Sequence, residues 1–349
     1  MNTEFVEIDI NNIDDELMTR AGDVIKSGGL VAFPTETVYG LGGDALNPSS
    51  SKKIYEAKGR PSDNPLIVHI ADMESLESIV SDIPDMARKL ADALWPGPLT
   101  MIFNKSDKVP YETTGGLDTV AVRMPDNKIA LEFIRKAGGY VAAPSANKSG
   151  RPSTTKASHV MEDMSGRIDM IIDGGSSTIG LESTIVDLTG SVPMILRPGY
   201  ISMKRLSKLV GEVEFDPAIV NVDAKSAPKA PGMKYKHYAP KGELAIIKGD
   251  AEKVISYIQA QSKKALSEGE RVGIIATDET YLNYQATVVQ NIGSKDDEET
   301  IARRLYAVLR DFDADDITRI YSEDFDTPNM GQAIMNRLIK AAGHTIIQL

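Results

Sequence analysis

Apolar residues follow two different periods along the first two hundred residues, and the two periods alternate. In residues 14–26 the apolar positions recur at helical spacing, whereas residues 30–33 form a short apolar run that predicts a buried strand. Regular alternation of this kind is typical of the α/β class. The same criteria predict further helices at residues 50–57, 84–94, 129–137 and 202–209, and further strands at residues 6–10, 66–70, 99–103, 119–123, 140–143, 170–172, 184–187 and 194–196.

A different pattern occupies residues 224–242, which follow neither period. This stretch holds three Pro, two Gly, five Lys and one His but no acid, and it predicts an exposed interdomain linker. We therefore expect one domain at residues 1–223 and a second at residues 243–349. For the second we predict a small Rossmann-like α/β domain with strands at 243–247, 271–276, 286–290, 317–321 and 345–349 and helices at 251–266, 297–312 and 329–342.

Composition then excludes several kinds of chemistry. The 349 residues include no cysteine, so disulfides, thiolate catalysis and Cys-ligated metals are excluded. The four histidines are far apart in sequence and form no H-E-x-x-H pair. The first ten residues lack a basic segment followed by an apolar one, and no apolar run approaches 18 residues, so we expect a cytoplasmic protein without a membrane span.

The net charge of -11 disfavours a protein that coats nucleic acid, but this charge is an average over unlike segments. Residues 1–50 carry 2 basic and 9 acidic side chains, whereas residues 201–250 carry 9 basic and 6 acidic side chains. An acidic chain can therefore still hold a local site for an anion.

Two polar motifs follow predicted strands or helices in the first domain. PTETVYGLGG at residues 34–43 follows a buried strand, where ligands of α/β sheets bind, although a plain turn would look the same. Lys58 and Arg60 stand at a predicted helix end, with Gly59 between them and Pro61 after them. They could clamp a phosphate or merely complement the helix dipole, and both interpretations stay open. His69 lies in an apolar strand, which is typical of a buried core histidine.

Three more polar motifs end strands farther along. Arg123 offers a planar fork for a carboxylate or phosphate, although an edge salt bridge is the simpler interpretation. The loop at residues 142–153 offers hydroxyls, an amide and a guanidinium directly after a strand of small residues. Residues 182–187 and 197–199 mark two further strand edges. Hydroxyls, amides and cations at five strand ends, without a Ser-His-Asp set or a glycosidase-type acid pair, indicate binding of an anionic, phosphorylated ligand.

Seven ordered motifs resemble the threonylcarbamoyl-AMP synthase family, in its YrdC-like catalytic domain. Residues 230–240 and 333–337 resemble the longer, two-domain branch of that family, so the resemblance covers nearly the whole chain. It implies a twisted open mixed α/β sheet with a positively lined concave surface. The seven motifs are PTETVYGLG at 34–42, KGRPSDNPLIVH at 58–69, WPGPLT at 95–100, LDTVAVRMP at 117–125, APSANKSG at 143–150, ESTIVD at 182–187 and LRPG at 196–199.

The resemblance implies synthesis of L-threonylcarbamoyl-adenylate from L-threonine, bicarbonate or carbon dioxide, and ATP, with release of pyrophosphate. A partner complex would pass the threonylcarbamoyl group to tRNAs reading ANN codons. Lys58 and Arg60 would be catalytic as well as ATP-binding. L-threonine would contact Thr35, His69, Arg123, Ala143 and Ser183. ATP would contact Lys58, Arg60, Thr119, Ser145, Asn147, Ser153, Arg197 and Tyr238, the last closing over the nucleotide.

These residue types suit a mechanism that depends on positioned charge. Arg123 can pair with the amino-acid carboxylate, and the cations can neutralise the triphosphate. We expect Mg²⁺ to be held mainly by the ATP phosphates, because the sequence shows no dedicated carboxylate cage. The lysines of residues 224–242 could fold over the triphosphate as a lid, or the linker could be a solvated spacer.

Two alternatives differ in function class. An RNA-binding module for tRNA or rRNA would use the same concave surface, but the chain shows no aromatic stripe and no Lys/Arg-rich tract. A carbamoyl-adenylate-forming enzyme of hydrogenase maturation carries zinc fingers, which a chain without cysteine cannot supply. These sequence features leave open whether this chain binds tRNA directly.

Overall fold

The computed structural model describes residues 2–220 and 237–349, except for the side chains of residues 218 and 220. The described residues form two compact units. The first unit contains residues 2–149, 153–178 and 182–220, and the second contains residues 150–152, 179–181 and 237–349. The predicted linker at residues 224–242 lies outside the described residues up to residue 236, and its last six residues belong to the second unit.

The first unit is built on one mixed sheet of eleven strands. Its order is β1–β8–β2–β3–β7–β4–β6–β5–β9–β10–β11, and parallel and antiparallel pairs both occur. The strands are β1 Glu4–Glu7, β2 Val31–Phe33, β3 Gly40–Asp44, β4 Ile67–His69, β5 Leu99–Asn104, β6 Thr119–Arg123, β7 Val141–Ala142, β8 Met170–Asp173, β9 Thr184–Asp187, β10 Met194–Arg197 and β11 Glu214–Phe215.

Helices cover both faces of this sheet, because its central strands are apolar on both sides. Along β2, Ala32 belongs to one buried apolar cluster, while Val31 and Phe33 belong to another. Side chains alternate between the faces of a strand, so each face packs against its own helices. The helices are α1 Asp15–Lys26, α2 Pro48–Lys58, α3 Met73–Ile79, α4 Asp85–Leu94, α5 Tyr111–Thr114, α6 Lys128–Lys136, α7 Ala157–Met164, α8 Met203–Val210 and α9 Pro217–Val220.

Strand β3 is absent from the sequence-based prediction, which treats residues 34–43 as a loop. Its sequence is GLGGD, and glycine is depleted in strands. The structure shows why glycine is needed here. A Cβ on Gly42 would lie 2.8 Å from a side-chain carbon of Val141 and 3.1 Å from the carbonyl oxygen of Val31. Strand β3 pairs with β2 and β7, and glycine is required because a side chain at residue 42 would collide with these neighbours.

The second unit contains a separate five-stranded sheet in which all pairs are parallel. The order is β14–β13–β15–β12–β16, with three α-helices and one 3-10 helix at Tyr281–Asn283 in the described part of the unit. Its elements are β12 Glu243–Lys248, α10 Ala251–Ser267, β13 Val272–Ala276, β14 Val288–Asn291, α11 Glu298–Ala314, β15 Arg319–Glu323, α12 Gly331–Ala341 and β16 Ile346–Gln348.

The predicted fold class is confirmed: a large mixed α/β sheet is followed by a smaller parallel one. Two strands, β6 and β9, have the predicted bounds, whereas the first strand ends at Glu7 and does not extend to residue 10. Helices α3, α5, α7 and α9 and strand β11 add to the predicted set. Within the described residues, every helix is too short or too polar to span a bilayer.

Gly199 provides a test of the close approach between the turn after β10 and the start of β9. A Cβ at this position would lie 2.4 Å from the backbone nitrogen of Thr184, which cannot move without disturbing the strand. We expect Gly199→Ala to lower the free energy of unfolding by roughly 1–3 kcal/mol in urea titrations, as overpacking does. Gly190→Ala is the matched control, because its nearest atom is 3.7 Å away. Equal stability of the two variants would contradict this packing.

Candidate functional site

Arg123 stands at the carboxyl end of β6 and is 4% exposed. Register places it beside His69, the last residue of the parallel strand β4. Its Nη1 donates to the Thr37 hydroxyl over 2.7 Å, and its Nε donates to the Gly97 carbonyl over 3.3 Å. Its Nη2 lies 2.6 Å from a carboxylate oxygen of Glu36, which is also buried. Two separate segments of the chain, the turn that holds Glu36 and Thr37 and the segment that holds Gly97, therefore converge on one guanidinium.

The turn at residues 34–38 is held together by its own hydroxyls. The Thr35 side chain donates to the Val38 carbonyl over 2.6 Å and accepts from the backbone nitrogens of Thr37 and Val38. The Ser177 hydroxyl donates to the Thr35 carbonyl over 3.0 Å, which fixes the turn from a second direction. These bonds hold the segment that carries Thr37 and Glu36 against Arg123.

His69 is buried and contacts Phe33 edge-to-face, with ring centroids 6.0 Å apart. Its Nδ1 lies 3.2 Å from the carbonyl of Ile67. Burial, reinforced by the positive charge of Arg123, lowers the pKa of His69 from 6.5 to about 3. The imidazole is therefore neutral at physiological pH, and it can take part in a hydrogen bond without adding charge to the site.

Ser183 precedes β9 and connects two other residues of the site. Its hydroxyl lies 2.7 Å from that of Thr100 and accepts from Arg197 Nη2 over 3.2 Å. Arg197, the last residue of β10, also donates from Nε to the Ser183 carbonyl over 3.1 Å. Ala143 follows β7, and its backbone nitrogen donates to the Ile67 carbonyl.

Lys58 organises the loop that begins after β7. It is the last residue of α2, is 4% exposed, and its Nζ donates to the carbonyls of Ser145 and Asn147, each over 2.5 Å. The Ser145 hydroxyl in turn donates to the Asn147 side chain over 2.5 Å. Gly40 bridges to Ser145, so this loop meets the start of β3. Three of the residues predicted to contact ATP thus form one hydrogen-bonded group.

The remaining predicted residues have different surroundings. Arg60 donates to the carbonyls of Asn64 and Pro65 and thereby shapes the turn before β4. Ser153 is fully buried, with its hydroxyl donating to Glu182 over 2.6 Å. Thr119 begins β6, four residues before Arg123, which separates their Cα atoms by roughly 13 Å. Tyr238 belongs to the second unit, where its ring lies 5.3 Å from that of Tyr306.

Glu36, Thr37 and Glu182 are site residues to which the sequence analysis assigns no role. All three fall within quoted motifs, and all three are buried. An acid three residues after a fully apolar strand is the signal that marks Glu36, because a buried charge needs a partner. The partner itself is 87 residues away along the chain, so the sequence alone does not identify it.

The site offers cations and hydroxyls more than metal ligands. Among residues 2–220 and 237–349, no group of three or more His, Asp or Glu side chains is placed to hold a metal ion. The arrangement suits recognition of carboxylate and phosphate groups by guanidinium, ammonium and hydroxyl donors.

Two family models together match most of the chain. One, named for Sua5, YciO and YrdC and described as "Telomere recombination", matches residues 23–199. The other, described as the C-terminal domain of threonylcarbamoyl-AMP synthase, matches residues 201–343. Both halves of the sequence are therefore similar to proteins of one kind.

Curated relatives and solved structures agree with these matches. The threonylcarbamoyl-AMP synthase of Pyrococcus abyssi is 48% identical over 94% of this chain and 95% of that protein. The threonylcarbamoyl-AMP synthase of Bacillus subtilis is 45% identical over 99% of this chain and 98% of that protein. The crystal structure of P. abyssi Sua5 complexed with L-threonine superposes with a TM-score of 0.94, at 46% identity, covering 99% of this chain and 100% of that one. The resemblance inferred from the motifs is confirmed.

The lowered pKa of His69 predicts a specific pH dependence. The unfolded chain binds a proton at this residue near pH 6.5, whereas the native protein does so only near pH 3. Stability contributed by the neutral imidazole is therefore complete above pH 6.5 and falls by about 1.4 kcal/mol per pH unit as the pH drops toward 3. In NMR spectra we expect the His69 ring signals of the native protein to stay constant from pH 8 to pH 5. A midpoint above pH 6 in the folded protein would contradict this environment.

Proposed function

Because the chain belongs to the threonylcarbamoyl-AMP synthase family, we propose that it makes L-threonylcarbamoyl-adenylate and pyrophosphate from L-threonine, bicarbonate or carbon dioxide, and ATP. Such an enzyme is a nucleotidyltransferase, since the AMP group moves from ATP to a carbamate oxygen. A threonylcarbamoyl-transferase complex in the cytoplasm then passes the threonylcarbamoyl group to the adenosine beside the anticodon of tRNAs that read ANN codons.

The buried Arg123 carries this proposal. A guanidinium at the end of a central strand, fixed by Thr37 and Gly97, is suited to a carboxylate because its planar fork is already oriented. The P. abyssi relative has been solved with L-threonine, which supplies such a carboxylate. We infer that Thr35, His69, Ala143 and Ser183 contact the remainder of the amino acid in this chain.

The group around Lys58 supports the ATP half of the proposal. Lys58, Ser145 and Asn147 are joined by short hydrogen bonds, so a charge and two polar side chains are presented as a unit. We propose that Lys58, Arg60 and Arg197 neutralise the triphosphate, and that Ser145, Asn147, Ser153, Thr119 and Tyr238 contact the nucleotide.

The proposed chemistry requires little from a general base. The threonine amine captures carbon dioxide, releases a proton, and becomes a carbamate whose oxygen is already anionic. That oxygen attacks the α-phosphorus, the new O–P bond forms, and the bond to pyrophosphate breaks with the electron pair leaving on pyrophosphate. Rate enhancement then comes from alignment and from cations placed beside the developing charge.

Magnesium enters the proposal as a partner of ATP. The described residues supply no cluster of three acids or histidines for it, so we propose that the phosphate oxygens are its main ligands. When bound there it would withdraw charge from the departing pyrophosphate. No residue of this chain is assigned to it.

One incubation tests the proposed activity. With ATP, Mg²⁺ and bicarbonate, we expect pyrophosphate release that depends on L-threonine and is far slower with other amino acids, because the site must fit the substrate hydroxyl and methyl groups. Omission of bicarbonate is the control for the carbamate step. Absence of threonine-dependent release, together with tight retention of tRNA on a filter, would contradict the synthase and favour an RNA-binding module.

Lys58 and Arg60 are expected to differ in what their loss does. Arg60→Ala should lower kcat by roughly 10²–10³-fold with little effect on Tm, since its bonds to the carbonyls of Asn64 and Pro65 are long and lie within a partly exposed turn. Lys58→Ala should lower kcat at least as much and also lower Tm, because two carbonyls lose their donor. Lys52→Ala, on the same helix but 64% exposed, is the matched control. Near-wild-type turnover of both site variants would contradict these roles.

A further inference from the structure

Glu36 is a buried carboxylate at the site to which the proposed function gives no task. It is 7% exposed and lies in the turn directly after β2. Removing a carboxylate from water is expensive unless a partner compensates for the lost hydration. Its position beside Arg123 shows what that partner is.

The contact between the two residues is an ion pair with incomplete hydrogen bonding. Arg123 Nη2 lies 2.6 Å from Glu36 Oε2, but the angle does not meet hydrogen-bond geometry. Glu36 Oε1 is buried as well and has no hydrogen-bond partner in the described part of the chain. The carboxylate therefore faces the guanidinium mainly as a charge, while Thr37 and Gly97 fix the orientation of the guanidinium.

The consequence concerns the charge of the amino-acid pocket. His69, the neighbour of Arg123 across the register, is neutral at physiological pH, so it neither adds to nor offsets the charge on Arg123. An unopposed guanidinium in a buried site favours any small carboxylate anion. The Glu36 carboxylate lies 2.6 Å from Arg123, so the two residues together are neutral. A neutral pair favours an amino acid, which carries a positive and a negative charge, over an anion that carries only the negative one.

We propose that Glu36 is a positioning residue that sets the charge of Arg123's surroundings and thereby makes the pocket selective for zwitterionic L-threonine over amine-free carboxylates. The inference rests on the proposed function, because it takes L-threonine as the molecule bound at Arg123. Glu36 belongs neither to the residues proposed to contact threonine nor to those proposed to contact ATP. It acts through Arg123 and takes no part in the chemical step.

Calorimetric titration of the full chain tests this proposal with two probes. One is L-threonine, and the other is (R)-3-hydroxybutyrate, which keeps the carboxylate, hydroxyl and methyl group but lacks the amine. The measured quantity is the ratio of the Kd for hydroxybutyrate to the Kd for threonine. Three variants are compared. Glu36→Gln removes the charge and keeps the shape, whereas Glu36→Asp keeps the charge but moves it away from Arg123. Glu132→Gln is the matched control. Glu132 pairs with Arg135 at the surface, away from the site.

In Glu36→Gln we expect the ratio to fall at least tenfold, with weaker threonine binding and hydroxybutyrate binding that is unchanged or stronger. The KM for ATP should change less than twofold. Glu36→Asp should fall between Glu36→Gln and the wild type, and Glu132→Gln should match the wild type. A purely structural role would weaken both probes equally, so an unchanged ratio in Glu36→Gln overturns the proposal.

Two further outcomes are decisive. If Glu36→Gln does not fold, Glu36→Asp decides: a ratio lowered at least threefold supports the proposal, and a wild-type ratio overturns it. If the wild-type chain binds neither probe and releases no pyrophosphate with L-threonine, the proposed function fails and this inference fails with it. An active wild type with an unchanged Glu36→Gln ratio removes only the inference.

Discussion

The site depends on the burial of one guanidinium. Arg123 is 4% exposed, so its charge needs partners, and these come from the turn after β2, which supplies Thr37 and Glu36, and from the segment before β5, which supplies Gly97. That requirement brings residues 34–38 against the end of β6, which in turn places β3 between β2 and β7. The same contacts leave a fork-shaped donor at the end of a central strand, where α/β sheets bind ligands.

A second group of hydrogen bonds holds the loop that we propose to contact the nucleotide. Lys58 joins the end of α2 to the loop after β7, and the short strand β7 runs antiparallel to both β3 and β4. The loop residues Ser145 and Asn147 are therefore positioned by a buried cation and by the sheet, without a helix or disulfide of their own. Such loops on a rigid sheet are common locations for binding groups.

Sequence patterns predict the strands that are buried on both faces, because β6 and β9 read as continuous apolar runs. They do not predict β3, since GLGGD has the composition of a turn and forms a strand only by pairing with β2 and β7, which are distant in sequence or hidden from a local pattern. For the candidate site, the ordered motifs predict the residues, and the sheet register places His69 beside Arg123. The Glu36 pairing depends on a contact across 87 residues, which no local pattern contains. Nearness in sequence can also mislead. Thr119 and Arg123 belong to one motif, but they lie at opposite ends of β6.

The central claim is that the end of β6 forms an amino-acid pocket in which Arg123 receives the substrate carboxylate. A crystal structure of this chain soaked with L-threonine alone tests it most directly. We expect the threonine carboxylate within about 3 Å of the Arg123 guanidinium, the distance of a charge-assisted hydrogen bond, with Thr37 and Gly97 still bonded to that side chain. Threonine bound with its carboxylate away from Arg123, or an Arg123 side chain that leaves its partners to reach the ligand, would contradict the account.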